Sequence, residues 1–279
     1  MYLCGVFRCR TPMIVCVISV LMILPGGAHG ASAQVKNRKV SKIAGKEPPT
    51  TELDVEEREL RESATRLRAI MQAIHTYHKA AGHFPTAHAG LGYDKKKGKW
   101  YRHRSHLSWR VLLLPFLGER ELFDKFRMME SWDSEHNKKL ISQMPDVYRT
   151  PGSDATEGMT NYLGVVGPNA GFSVRKPITV IDISDGTVET IMLVEAPDKW
   201  AVEWTRPRDF PANTENPNKK LASLRKGGFL TAFGDGSAAV ISEDIPPDAL
   251  NGLIIRDDRA ILDDVEKWIH RVPPTAKPR

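Results

Sequence analysis

Three acidic residues, Asp182, Asp185 and Glu195, stand on and beyond a tight-turn signal at Asp185-Gly186. Carboxylates of this kind are the hard oxygen donors that Ca²⁺ selects, and calcium takes about six to eight oxygens. They are the calcium candidates of the chain, although their spacing matches no EF-hand. The turn is also explained without a metal, as the approach to a strand. His75 and His78 lie three residues apart, with His83 and His88 following. Imidazoles at that spacing share a helix face and can hold a transition metal. Zinc would need a further ligand, and the chain contains no H-E-x-x-H string. Packed or surface histidines are the plainer reading.

A second kind of chemistry is suggested by Lys95 to Arg110, KKKGKWYRHRSHLSWR. Basic and aromatic side chains interleave there. Trp100, Tyr101, Arg102 and Arg104 are candidate binding residues for an acidic polymer or an anionic surface. A solvated loop is the alternative. Trp132-Asp133 and Trp204 can line a glycan-binding face or fill the core. The chain has no G-x-S-x-G elbow and no phosphate-binding glycine loop. Catalysis is therefore not expected, and a hydrolase ranks last among the functional readings.

The start of the chain suggests where this chemistry would operate. Arg8 and Arg10 precede an apolar run from Met13 to Leu24, which is short for a membrane span. Pro25, Gly26 and Gly27 interrupt helix there, and Ala31-Ser32-Ala33 offers a cleavage site. Residues 1–33 are expected to be a secretory signal, with export to the periplasm, cell surface or medium. Retention of the segment as an anchor is the alternative. Cys4, Cys9 and Cys16 all lie inside it, so the processed chain would have no cysteine chemistry. Removing the segment takes the formal net charge from +6 to +4. That mild excess, in an exported protein, argues against a nucleic-acid partner.

The elements that must position these residues form two groups. Residues 34–51 are basic and proline-interrupted and are expected to be a flexible linker. Thr51 can cap a helix whose first turn is acidic, and Gly82 can stop it in a left-handed conformation. Within that helix Leu53, Leu60, Leu67 and Ile74 recur every seven residues. The stripe is expected to pack on the protein's own domain or to meet another protein. Shorter helices are expected at Glu119–Met129 and Ser134–Met144. Strands are expected at Tyr162–Val166, Ile178–Ile181, Thr190–Glu195, Phe229–Phe233 and Ala238–Ser242. The plan is α+β, one domain over 52–270 with a disordered tail at 271–279.

Several segments resemble one bacterial family, the domain of unknown function 1559: LRAIMQAIHTYHKAAGHFP, SWRVLLLPFLGERELFDKF, WDSEHNKKLISQMPDVYRTP, TNYLGVVGP, DISDGTVETIMLVEAP and GGFLTAFGDGSAAVI. They follow in order from about Ala64 to Asp258. The resemblance implies a pilin-like or pseudopilin-like fold, a long helix laid on an antiparallel sheet, and an exported location. The similarity to major pseudopilins, which use a calcium loop, adds weight to Asp182, Asp185 and Glu195. The prepilin anchor of many members has no counterpart here. Where many members carry a histidine ten residues before the late Asp-Gly, this chain has Arg225. The resemblance implies no activity, and a solute-binding label is only loosely attached to it. The expected function is a non-enzymatic structural or interaction role outside the cytoplasm. An extracellular binding module for a glycan, acidic polymer or metal ion is the alternative.

Overall fold

The computed structural model describes residues 51–89, 91–94, 99–102, 106–174, 176–212, 216–258 and 264–274. The chain divides into two units, Met1–Lys46 and Glu47–Arg279, and all described residues belong to the second. In chain order its elements are α1 (Glu52–Ala81), β1 (Leu91–Asp94), β2 (Lys99–Arg102), α2 (Trp109–Leu113) and α3 (Arg120–Lys125). Then follow β3 (Met159–Thr160), β4 (Tyr162–Val166), β5 (Ile191–Glu195), β6 (Val202–Glu203) and β7 (Phe210–Pro211). The last are α4 (Pro217–Leu221), β8 (Gly228–Phe233), β9 (Ala238–Ser242), α5 (Pro247–Ile254) and β10 (Ile269–Arg271).

Local chemistry sets both ends of α1. The Asp54 N–H donates to Thr51 Oγ1 at 3.1 Å, and Glu52 and Asp54 face the positive end of the helix dipole. At the other end Gly82 takes φ 79° and its N–H donates to the His78 carbonyl at 2.8 Å. Phe84 then folds back, its ring centroid 4.5 Å from that of His78. The buried face of α1 includes Ala64, Leu67, Ile70, Met71 and Ile74. Truncating Leu67 or Ile74 to Ala would cost about 2–5 kcal/mol. The heptad stripe thus packs on its own domain over its later turns. At its start the stripe leaves the core: Leu60 is half-buried and Leu53 is 69% exposed.

The sheet has six strands in the order β10-β9-β8-β5-β4-β7, antiparallel except for the β4–β7 pair. α1 crosses β8 and β9, while α4 and α5 contact β8 and β5. Both faces are covered, which is why GFLTAF in β8 is almost continuously apolar rather than alternating. Leu230 and Ala232 join the core with α1, and Phe229 and Phe233 join the core with α5. A register shift between Ile191 and Leu193 in β5 lets Met192 and Leu193 serve the same core. The bend leaves Glu195 beneath α1, where Ser63 meets it.

The architecture is the expected α+β plan, with local departures. Ile178–Ile181 is not a strand. Thr179 and Asp182 form a capping box that winds Val180–Asp182 into a 3₁₀ turn, and this short-range bonding outweighs the β-branched side chains. The expected helix at Ser134–Met144 is 3₁₀ over Asn137–Gln143. That at Glu119–Met129 ends at Lys125, because Phe126 turns to an extended ψ of 135°. The segment expected as a tail begins inside the sheet: Arg271 belongs to β10, and Val272 N–H donates to the Ala238 carbonyl at 2.9 Å. The expected signal, the expected linker before Thr51 and residues 275–279 lie outside the described residues.

Candidate functional site

Two arginines are drawn into the interior, each by a carboxylate. The first pair joins Arg225, in the turn before β8, to Glu195 at the end of β5. Arg225 Nε donates to Glu195 Oε2 and Nη2 to Oε1, both at 2.8 Å, a two-pronged contact. Nη2 also donates to the Pro151 carbonyl at 2.8 Å. Ser63 on α1 donates to Glu195 Oε1 and lies 2.7 Å from the Tyr162 hydroxyl. Glu195 is thus bonded to a helix and a loop from the end of a strand. Burial, then the Glu195 charge, pushes the Tyr162 phenol far above its ordinary range. Burial opposes the Arg225 charge, but the bonds and charge of Glu195 outweigh it and raise the arginine pKa further.

The second pair joins Arg110, on α2, to Asp209, just before β7. Both side chains are sealed from solvent, and Arg110 Nη2 donates to Asp209 Oδ1 at 2.8 Å. Arg110 also donates to the Tyr162 carbonyl through Nε and Nη2 and to Ser108 Oγ through Nη1. Asp209 accepts from the Gly164 N–H at 2.8 Å and from Trp109 Nε1. Every nitrogen of this guanidinium has an acceptor. The pair ties α2 to β4 and β7. Tyr162 links the two centres, with its carbonyl on Arg110 and its hydroxyl on Ser63.

Only the Arg225 pair meets open space. A cleft of about 440 Å³ runs between the first turns of α1 and residues 224–226. Leu53, Leu60, Leu224 and Val240 give it aliphatic surface. Glu56, Glu57 and Glu59 line the helix side, and Arg225 and Lys226 the other. Glu57 is held by Arg61 at 2.5 Å. Glu59 lies 3.6 Å from Arg225 Nη1, an ion-pair separation too long for a hydrogen bond. Nη1 therefore has no hydrogen-bond acceptor among the described residues. Gly152, at φ 72°, leaves room for the Glu59 carboxylate, which a Cβ there would strike.

The residues singled out from sequence are placed apart. Asp182 accepts from the Thr179 N–H at 2.7 Å, which is the largest cause of its lowered pKa. Asp185 Oδ2 accepts from the Asp258 N–H at 3.1 Å. Glu195 is taken by Arg225 and Ser63. The three do not converge, and among the described residues no group of three or more His, Asp or Glu has metal-holding geometry. His75 Nε2 contacts the Gly234 carbonyl at 2.8 Å, and His83 Nδ1 the Phe84 carbonyl at 2.8 Å. His78 Nε2 is buried with no partner among the described residues; desolvation, then His75 and His83, lowers its pKa. Trp100, Tyr101 and Arg102 belong to the β1–β2 hairpin, and Arg104 lies outside the described residues. Trp204 is core, bonded through Nε1 to the Ile141 carbonyl and stacked on Tyr148. Sequence reasoning named Arg225 only as a departure from a family pattern, and did not find its cleft. Its partners Glu195 and Ser63 stand 30 and 162 positions away, beyond any local spacing rule.

Residues 61–153 match the model of a family described as a protein of unknown function, DUF1559. The match spans about a third of the chain and supports the family assignment. It includes Ser63, Arg110 and Gly152, while the later resembling segments, from TNYLGVVGP onward, lie beyond it. No curated protein and no solved structure matches the chain.

Proposed function

We propose that this chain is an exported, non-enzymatic protein of pseudopilin-like plan, and that it acts by binding through the cleft at the start of α1. The observation that carries the reading is the behaviour of the heptad stripe. Its later residues are consumed by the core, while Leu53 emerges at 69% exposure beside the cleft that Arg225 faces. Leu53 does not stand alone: with Leu60, Leu224 and Val240 it lines a concave surface that also holds charged groups, which favours a recognition surface over a packing remnant. The signal-like residues 1–33 support export. The long helix laid on a mainly antiparallel sheet supports the pseudopilin-like plan. Among the described residues no helix is long and apolar enough to cross a membrane. Ser63, a hydroxyl bonded to a carboxylate, is fully buried between Tyr162 and Glu195, which favours a structural use for it.

Two measurements test this reading. Fractionation with N-terminal sequencing should recover an exported chain beginning near Gln34; a cytoplasmic chain with residues 1–33 intact would refute export. A photo-reactive residue at Leu53 should form a discrete adduct in the producing cell, whereas one at the equally exposed Met129 should not. Equal labelling at both positions would refute the cleft as the contact site.

A further inference from the structure

We infer that the cleft takes a small zwitterionic solute with an aliphatic side chain, of the amino-acid or dipeptide class. This rests on the reading that the cleft is the binding site. The argument begins with Arg225. Its Nε and Nη2 are fixed by Glu195, Ser63 and Pro151, so the guanidinium cannot swing away. Its side chain is only 10% exposed, yet the Nη1 hydrogens find no acceptor within hydrogen-bond distance. Nη1 faces the cleft, so its hydrogens are open to an incoming oxygen, and a charge-assisted bond there is stronger than a neutral one. Lys226 follows directly, is exposed, and has no hydrogen bond or ion pair among the described residues. Two cations side by side, one rigid and one adaptable, suit a carboxylate.

The opposite wall demands the other charge. Glu56 and Glu59 lie three residues apart on α1 and so share a face. Glu56 has no partner among the described residues, and Glu59 has only the long contact with Arg225. A simple anion would meet these carboxylates, and a simple cation would meet Arg225 and Lys226. A molecule carrying an ammonium and a carboxylate satisfies both walls. Between them Leu53, Leu60 and Val240 offer aliphatic surface for a side chain without polar groups. A volume of about 440 Å³ is at the small end of ligand pockets, which suits a monomer or dimer and not a polymer.

The test is calorimetric titration of the processed chain, residues 34–279. Leucine and leucyl-leucine are the zwitterionic probes, and their relative affinity separates the amino-acid from the dipeptide source. N-acetyl-leucine keeps only the carboxylate and leucinamide only the ammonium. At least one zwitterion should bind saturably, and capping either charge should weaken it at least about tenfold, the scale of one charge-assisted bond. Lys226→Met and Glu56→Gln, both at exposed positions, should each weaken it similarly while leaving the unfolding midpoint nearly unchanged. Absence of saturable heat with both zwitterions, equal binding of the capped forms, or unaltered binding in both variants would overturn the inference. A negative titration beside a positive Leu53 adduct removes the ligand class alone; a negative titration beside equal labelling at Leu53 and Met129 removes the cleft reading as well.

Discussion

Arg110 is buried and Arg225 largely so, both are paired with a carboxylate and both are bonded to backbone carbonyls, yet they are built for different work. Arg110 is closed on every side: all its nitrogens have acceptors, its partner Asp209 accepts from Gly164 and Trp109, and Trp109 lies 4.5 Å beneath the guanidinium carbon. Arg225 is held as firmly on two nitrogens and left open on the third. A buried ion pair is weak evidence for stability, because desolvation offsets much of its attraction. What separates the two is completeness. A complete network fixes three elements against one another, and an incomplete one presents a rigid donor to whatever enters the cleft.

The sharpest way to break this comparison is to remove a carboxylate. Asp209→Ala strands the Arg110 charge and frees two further donors, so urea unfolding should show a loss of about 3–5 kcal/mol or no folded protein. Replacing both partners with Met should not restore it, because Gly164 and Trp109 still lose their acceptor. Arg225→Met strands Glu195 and should cost about 2–4 kcal/mol. Here the double replacement Arg225→Met/Glu195→Met should recover part of that loss, because Ser63, the buried donor to Glu195, keeps the Tyr162 hydroxyl as a partner. Equal recovery, or equal failure, in the two double variants would erase the distinction. Gly152→Ala is a milder probe. It forces an alanine into a left-handed conformation, at about 1–2 kcal/mol, and pushes the Glu59 carboxylate aside. Denaturation should register the strain, and titration with a zwitterion should show weaker binding.

The smallest expected effect concerns neither pair and serves as their control. His78 prefers the neutral form when folded, because desolvation and the neighbouring His75 and His83 disfavour its proton. The unfolded chain then takes up that proton more readily, so stability is lost as pH falls below about 6.5. Thermal midpoints between pH 7.5 and 5.5 should decline slightly, and less so in His78→Gln. An unchanged slope in the variant would show that the loss arises elsewhere.

Much of the frame was legible because its signals are local. Thr51 and Gly82 delimit α1 by cap chemistry, and β4 and β9 run over the residues expected for them. The β-branched residues at Ile178–Ile181 point to a strand, whereas in the fold the Thr179/Asp182 capping box prevails over Val180–Asp182. β10 was missed because IHR is short and polar, and its pairing with β9 is a long-range fact. The site was half legible. Glu195 stood out as an acidic residue on a strand end, but the arginine that holds it lies thirty positions away. Leu53 was counted with its stripe, and no heptad pattern reveals at which turn a helix leaves its core.

The central claim is that binding occurs at the open pair and leaves the closed one untouched. Methyl NMR of residues 34–279, labelled at leucine and titrated with leucine or leucyl-leucine, tests it most directly. The cleft residues Leu53, Leu60 and Leu224 should shift together along one saturation curve, while the core residues Leu163, Leu230 and Leu253 stay fixed. Still cleft methyls, or shifts confined to the core leucines, would contradict it.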